Sequence, residues 1–153
     1  TGHIVLSTFH TNDAAGALTR LVEMGIEPFL VASSVTCVIA QRLLRKVCDE
    51  CKELYYPSLT ILESIGIKEP TAFYRGKGCP ACRNTGYKGR VGTFEVLIVD
   101  DDIRELVVKK ASSEVIKNMA IEKGMGTVKD DAIAKAKLGI TSLEEAMSLM
   151  QGD

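Results

Sequence analysis

The sequence predicts a mixed α/β protein in three consecutive parts: the end of an α/β layer, a zinc-binding tetracysteine subdomain, and a small all-helical C-terminal unit. Three observations carry this prediction. Residues 4–9, Ile-Val-Leu-Ser-Thr-Phe, are mostly apolar and partly β-branched and show no polar alternation, which is typical of a strand buried on both faces. Two Cys-x-x-Cys motifs follow mid-chain, and apolar residues then recur at helical spacing. We expect the three parts to span residues 1–47, 48–98 and 99–153.

Composition narrows the class of protein. The chain has 153 residues, 46% of them hydrophobic, and a net charge of −1. This length suits one ordinary domain or two small ones. The balanced charge argues against a dedicated nucleic-acid binder. The cysteine pattern favours metal-bound thiolates in a reducing cytosol, so we expect a cytoplasmic protein.

The first part contains one strand and two helices by pattern. Asn12 or Asp13 follows the predicted strand and can cap a helix over residues 14–24. Pro28 can open a second helix as its first residue. That helix is expected to be long, over residues 29–47, because the stretch is strongly apolar.

The second and third parts are predicted from turn signals and helical periodicity. Thr141 and Glu144 have the spacing of a capping box, which opens the last helix. The predicted elements are a short helix at 58–65, a strand at 90–99, a helix from residue 100 onward, and helices at 113–123, 127–138 and 141–150.

The two Cys-x-x-Cys motifs predict a structural metal site. Cys48 and Cys51 form the first pair, and Cys79 and Cys82 form the second. Tetrahedral zinc takes four thiolates, which leaves no coordination position open for catalysis. The alternatives are a thioredoxin-like redox motif, which needs only one pair, and disulfides, which need an oxidising compartment.

The two histidines, His3 and His10, flank the predicted first strand. His10 follows the carboxyl end of that strand, where open parallel sheets bind ligands. A neutral imidazole there can orient water or bond a phosphate, whereas the alternative is a loop histidine bonded to backbone. Cys37, inside the predicted long helix, is expected to be a buried small apolar residue. No Gly-x-x-x-x-Gly-Lys-Ser/Thr motif occurs in the sequence.

Several stretches resemble the secretion ATPase superfamily. Residues 1–13, TGHIVLSTFHTND, resemble its "His box", and residues 24–34, 41–45 and 89–95 are also similar to that superfamily. The resemblance covers essentially the whole chain. The tetracysteine segment narrows the resemblance to the assembly ATPases of type II secretion and type IV pili, which form the general secretory pathway protein E family. The pilus retraction ATPases of the superfamily lack that insertion.

The resemblance implies a hexameric cytoplasmic ATPase that uses ATP and Mg²⁺ and associates peripherally with the inner membrane through platform proteins. Residues 1–47 would then be the C-terminal portion of a RecA-like P-loop NTPase layer. The phosphate loop, the Mg²⁺-binding acidic box and further arginines would precede Thr1. The chain would therefore be a fragment, inactive as an ATPase on its own.

The resemblance also implies roles for individual residues. His3 and His10 match the His-box positions and are the candidate catalytic residues, with His10 nearest the nucleotide phosphates. Arg90 matches a Gly-Arg motif near the nucleotide and is the candidate nucleotide-binding residue. The four cysteines match the family's zinc ligands.

A zinc-ribbon-like module that binds nucleic acid or another protein is the alternative reading. Zinc ribbons usually place about 15–20 residues between their cysteine pairs. Here the two pairs are separated by the 27 residues at positions 52–78. This longer spacing and the balanced charge favour the ATPase, for which no nucleic-acid partner is expected.

Overall fold

The computed structural model describes residues 2–150, which form seven α-helices and four strands, so the predicted mixed α/β class is confirmed. Residues 1 and 151–153, the outer ends of the first and third predicted parts, lie outside the described residues. The helices are α1 (Ala14–Glu23), α2 (Pro28–Ser34), α3 (Leu59–Ser64), α4 (Asp101–Val108), α5 (Ser113–Glu122), α6 (Val128–Lys137) and α7 (Leu143–Ser148). The strands are β1 (Cys37–Val47), β2 (Lys52–Tyr55), β3 (Phe73–Gly76) and β4 (Tyr87–Ile98). None of the described helices has both the length and the apolar character that crossing a membrane requires.

The chain folds into two compact units, each built from two segments. Residues up to 40 group with residues 95–125, and residues 41–94 group with the segment from 126 onward. Strand β1 pairs with β4, and β2 pairs with β3 in an antiparallel hairpin. The predicted C-terminal helical part is shared between the two compact units. Helices α4 and α5 belong to the first unit, and α6 and α7 belong to the second. The division into 1–47, 48–98 and 99–153 stays a prediction about sequence segments.

Helices α1, α2, α4 and α5 build the core of the first unit together with the end of β4. Asp13 caps α1 as predicted, and its carboxylate accepts a hydrogen bond of 2.8 Å from the Gly16 N–H. The apolar face of α1 is buried in this core. The largest buried side chains in this core are Leu18, Leu97, Ile103 and Ile116.

The core of the second unit joins the cysteine segment to α6 and α7. Phe73 and Leu62 are fully buried there, beside the small residues Ala132 and Ala136 of α6. These alanines are four residues apart and therefore lie on one face of the helix, which permits close packing. Helix α7 is capped by Ser142 rather than by the predicted Thr141, because the Ser142 hydroxyl accepts the Glu145 N–H.

The predicted long helix over residues 29–47 is wrong beyond Ser34. Helix α2 ends there, and β1 begins at Cys37. Residues 35–39 read Val-Thr-Cys-Val-Ile, and β-branched residues favour a strand where a partner is present. The partner is β4, which lies far along the chain and leaves no signal in the local pattern. Cys37 is exposed, so its predicted burial is also wrong.

The predicted strand at residues 4–9 does not form either. These residues have no regular structure, and Ile4 and Leu6 are each 92% exposed. A strand needs a neighbour for its backbone N–H and C=O groups, and none of the described strands pairs with this segment. The other predicted elements are confirmed as α1, α3 to α7 and β4, with small shifts at their ends.

Candidate metal centre

The four cysteines of the two motifs converge, with all four sulfur atoms within 4.8 Å of one another. The Sγ–Sγ distances are 3.8 Å for Cys48 and Cys79, 3.9 Å for Cys51 and Cys82, and 3.7 Å for Cys79 and Cys82. A tetrahedral zinc ion with Zn–S bonds of about 2.3 Å places its sulfurs about 3.8 Å apart. A disulfide requires about 2.05 Å, and all four cysteines are free thiols. The geometry therefore fits a single tetrahedral metal ion.

The β2–β3 hairpin brings the two motifs together. Strand β2 starts directly after Cys51, and β3 ends three residues before Cys79. The register pairs Lys52 with Gly76, so the two motifs meet at the same end of the hairpin. A hydrogen bond of 3.0 Å from the Lys77 N–H to the Cys51 carbonyl extends this pairing toward the metal centre.

Gly86 connects both motifs through its backbone. Its carbonyl accepts the Cys48 N–H at 2.9 Å, and its own N–H donates to the Cys82 sulfur at 3.2 Å. Its φ of +78° lies in the left-handed region, and a Cβ there would come within 2.6 Å of the Gly76 carbonyl oxygen. Only glycine satisfies both the conformation and the close approach.

Two further backbone N–H groups donate hydrogen bonds to sulfur atoms of the cluster. Gly78 donates to the Cys51 sulfur at 3.3 Å, and Cys79 donates to the Cys82 sulfur at 3.2 Å. The second of these bonds spans a short 3-10 turn at Pro80–Cys82. Hydrogen bonds of this kind stabilise a thiolate, which is the form that binds metal.

The thiols differ in acidity because their surroundings differ. Burial raises the pKa of Cys51 to about 12, although the hydrogen bond from the Gly78 N–H acts in the opposite direction. Burial also opposes ionisation of Cys82, but the N–H groups of Cys79 and Gly86 outweigh it and lower its pKa to about 6. These N–H groups therefore favour the thiolate form of Cys82, which is the form that binds metal. Four soft sulfur donors in a closed tetrahedral cluster suit zinc.

A polar network supports the chain just before the first motif. The Glu145 carboxylate of α7 accepts three hydrogen bonds from Arg45 of β1. One comes from the Arg45 backbone N–H at 2.8 Å, and two come from the Arg45 guanidinium. The Arg45 guanidinium also lies 4.1 Å from the centre of the Tyr87 ring. The Tyr87 hydroxyl in turn bonds the Ser142 hydroxyl at 2.8 Å. This network ties β1 and β4 to the start of α7.

The other predicted site residues lie elsewhere. His3 and His10 are exposed in the segment that precedes α1, within the first compact unit. Arg90 is exposed on β4, within the second unit. The structure therefore gathers the four cysteines, while the roles of His3, His10 and Arg90 stay predictions.

Glu95 is a residue of interest that the sequence analysis did not single out. It is 2% exposed, and its Oε1 accepts the Ala14 N–H at 2.8 Å. The available signal was a carboxylate at an inward-facing position of an apolar strand, since Leu97 two residues later is also buried. Such a residue requires a buried hydrogen-bond donor.

Comparison with known proteins identifies relatives across nearly the whole chain. The family described as type II/IV secretion system protein matches residues 1–148. The type IV pilus assembly ATPase PilB of Thermus thermophilus is 46% identical over 152 residues, which cover 97% of this chain and 17% of that protein. The type II secretion system ATPase E of Vibrio cholerae is 46% identical over 149 residues, covering 96% and 29%. The type II secretion system protein E of Pseudomonas aeruginosa is 42% identical, covering 96% and 30%. The chain thus spans less than a third of each of these relatives.

Proposed function

Because the chain belongs to the type II/IV secretion system protein family, we propose that it is part of an ATPase that powers type II protein secretion or type IV pilus assembly. The match over residues 1–148 carries this proposal. Two relatives of equal identity are a pilus assembly ATPase and a secretion ATPase, so the proposal covers both machines.

In the intact protein, residues 1–47 complete a RecA-like P-loop layer that binds ATP and Mg²⁺. The exposure of Ile4, Val5 and Leu6 supports this placement, because three consecutive large apolar side chains are costly to leave in water. The intact ATPase works as a homo-hexamer in the cytoplasm, where platform proteins hold it at the inner membrane. The family resemblance supports this assembly.

The metal in this proposal is structural zinc, held by Cys48, Cys51, Cys79 and Cys82. The four cysteines would hold the ion as thiolates, and the bound ion would crosslink the two motifs at one end of the β2–β3 hairpin. The sulfur separations support this assignment, as does the closed ligand set. Residues of the chain outside the metal centre then carry the catalytic roles.

His10 orients the reacting water or contacts the nucleotide phosphates in this proposal, and His3 plays a less direct part. Arg90 binds the nucleotide. Phosphoryl transfer depends mainly on positioning and charge stabilisation, so one orienting side chain has a large effect on rate. The exposed position of His10 supports this role, since its side chain is accessible to a ligand.

The test is steady-state ATP hydrolysis and nucleotide affinity in the intact protein. We expect His10→Ala to lower turnover about ten-fold or more while zinc content and nucleotide affinity stay near wild type. Arg90→Ala should instead weaken nucleotide binding. Wild-type turnover by His10→Ala would remove the catalytic role of His10, and an intact protein without ATP turnover would overturn the proposed function.

A further inference from the structure

Glu95 is a buried carboxylate for which the proposed function has no role. It lies on β4 and is 2% exposed. Its Oε1 accepts a buried hydrogen bond of 2.8 Å from the N–H of Ala14, the first residue of α1. Ala14 and Ala15 are fully buried at this contact. Glu95 therefore holds the start of α1 across 81 positions of sequence.

The hydrogen bond from Ala14 to Glu95 satisfies a backbone donor at the start of a helix. The first four N–H groups of a helix have no partner within the helix, and its N-terminus carries partial positive charge. Two carboxylates share these donors here, because Glu95 takes the Ala14 N–H and Asp13 takes the Gly16 N–H. Each of these bonds satisfies a backbone donor that the helix itself leaves without a partner.

A second contact fixes the segment just before α1. The Lys117 ammonium of α5 donates to Asp13 Oδ2 at 3.0 Å. The Thr11 hydroxyl donates to the Asp13 carbonyl at 3.0 Å, which tightens the turn. The residues that follow His10 are thus held from β4 through Glu95 and from α5 through Lys117.

We propose that Glu95 is a positioning residue that sets the location of the His10 imidazole by anchoring the first N–H of α1. His10 lies four residues before Ala14, and no helix or strand of its own orients it. The inference rests on the proposed function, in which His10 serves ATP hydrolysis. The hydrogen bond links Glu95, the last residue of the stretch at residues 89–95, to Ala14, which directly follows the stretch at residues 1–13.

The first arm of the test is independent of ATP. The 153-residue chain has two histidines, so its NMR spectrum has two imidazole C2–H signals. We expect Glu95→Ala to shift the His10 signal, leave the His3 signal in place, and speed hydrogen exchange of the Ala14 amide on the order of ten-fold or more. Glu95→Gln keeps an acceptor oxygen in place and should stay close to wild type. Glu114→Ala is the matched control, because Glu114 is exposed in the first turn of α5.

The second arm measures turnover in the intact protein. Glu95→Ala should lower ATP hydrolysis on the order of ten-fold with nucleotide affinity unchanged, and Glu95→Gln should restore most of it. If Glu95→Ala does not fold, Glu95→Asp replaces it, because the shorter side chain keeps the charge but withdraws the oxygen from Ala14.

The two arms separate the two proposals. An unchanged His10 signal and unchanged Ala14 exchange in Glu95→Ala, or in Glu95→Asp in its place, would overturn the positioning role whatever the hydrolysis rate. Wild-type hydrolysis by His10→Ala would overturn the proposed role of His10, while a shifted His10 signal would still show that Glu95 sets the geometry of this segment.

Discussion

The carboxylate of Glu145 accepts both the backbone N–H and the guanidinium of Arg45, although the two residues lie 100 positions apart. Burial opposes ionisation of Glu145, but the hydrogen bonds from Arg45 outweigh it and lower the pKa of Glu145. The Glu145 carboxylate thus joins α7 to Arg45, which lies near the end of β1 and three residues before Cys48.

We expect Glu145→Gln to lower the free energy of unfolding by on the order of 1 kcal/mol at neutral pH. A carboxyl whose pKa is lower in the folded state stabilises the fold above its unfolded pKa, near 4.5, and this contribution is lost as pH falls through the lower folded value. Denaturant unfolding at several pH values measures the effect. Glu105→Gln, in an exposed pair with Lys109, is the control and should change little. A difference between wild type and Glu145→Gln that persists unchanged below both pKa values would contradict this assignment.

Cys79→Ser should abolish stoichiometric metal binding, because three thiolates no longer close the tetrahedron. Elemental analysis of the wild-type chain should find one zinc ion per chain, and the variant should contain almost none. Cys37→Ser is the matched control, since Cys37 is exposed and lies outside the cluster. Equal zinc content in the Cys79→Ser and wild-type proteins would refute the predicted ligand set.

Gly86→Ala should disrupt the metal centre for two reasons, the left-handed φ of Gly86 and a steric clash of the added Cβ. The added Cβ would meet the Gly76 carbonyl oxygen at 2.6 Å and push apart the backbone segments that hold Cys48 and Cys82. Gly66→Ala separates the two effects, because Gly66 has a similar φ of +80° but no atom within 4 Å of the added Cβ. We expect Gly66→Ala to cost about 1 kcal/mol and Gly86→Ala clearly more.

Thermal unfolding and zinc affinity of the two glycine variants provide the measurement. Gly86→Ala should bind zinc more weakly than wild type, whereas Gly66→Ala should keep wild-type affinity. Equal losses in the two variants would mean that only the left-handed conformation matters and that the close approach to Gly76 does not.

Residues 1–153 alone should not hydrolyse ATP. The sequence contains no Gly-x-x-x-x-Gly-Lys-Ser/Thr motif, whose backbone and lysine hold the phosphates in P-loop enzymes. In the presence of Mg²⁺, the rate of phosphate release from ATP should equal the rate in buffer without protein, with the intact protein as the positive control. ATP turnover by this chain that His10→Ala abolishes would contradict the prediction.

Local chemistry in the sequence was enough to predict that the four cysteines converge and where most helices form. Asp13 caps α1 through the Gly16 N–H, so the relevant partner lies within three residues. The four cysteines were predicted to meet because their pairing as two motifs implies a shared ion. In each case the interaction partners, or the ion that joins them, can be inferred from residue type and spacing.

The tertiary structure decided the features that depend on distant partners. Residues 37–47 form a strand rather than a helix because β4 supplies hydrogen bonds that no local pattern reveals. Residues 4–9 remain exposed because no described strand pairs with them. The role of Glu95 likewise depends on Ala14, 81 positions away, since a buried carboxylate is stable only where the fold brings it a donor.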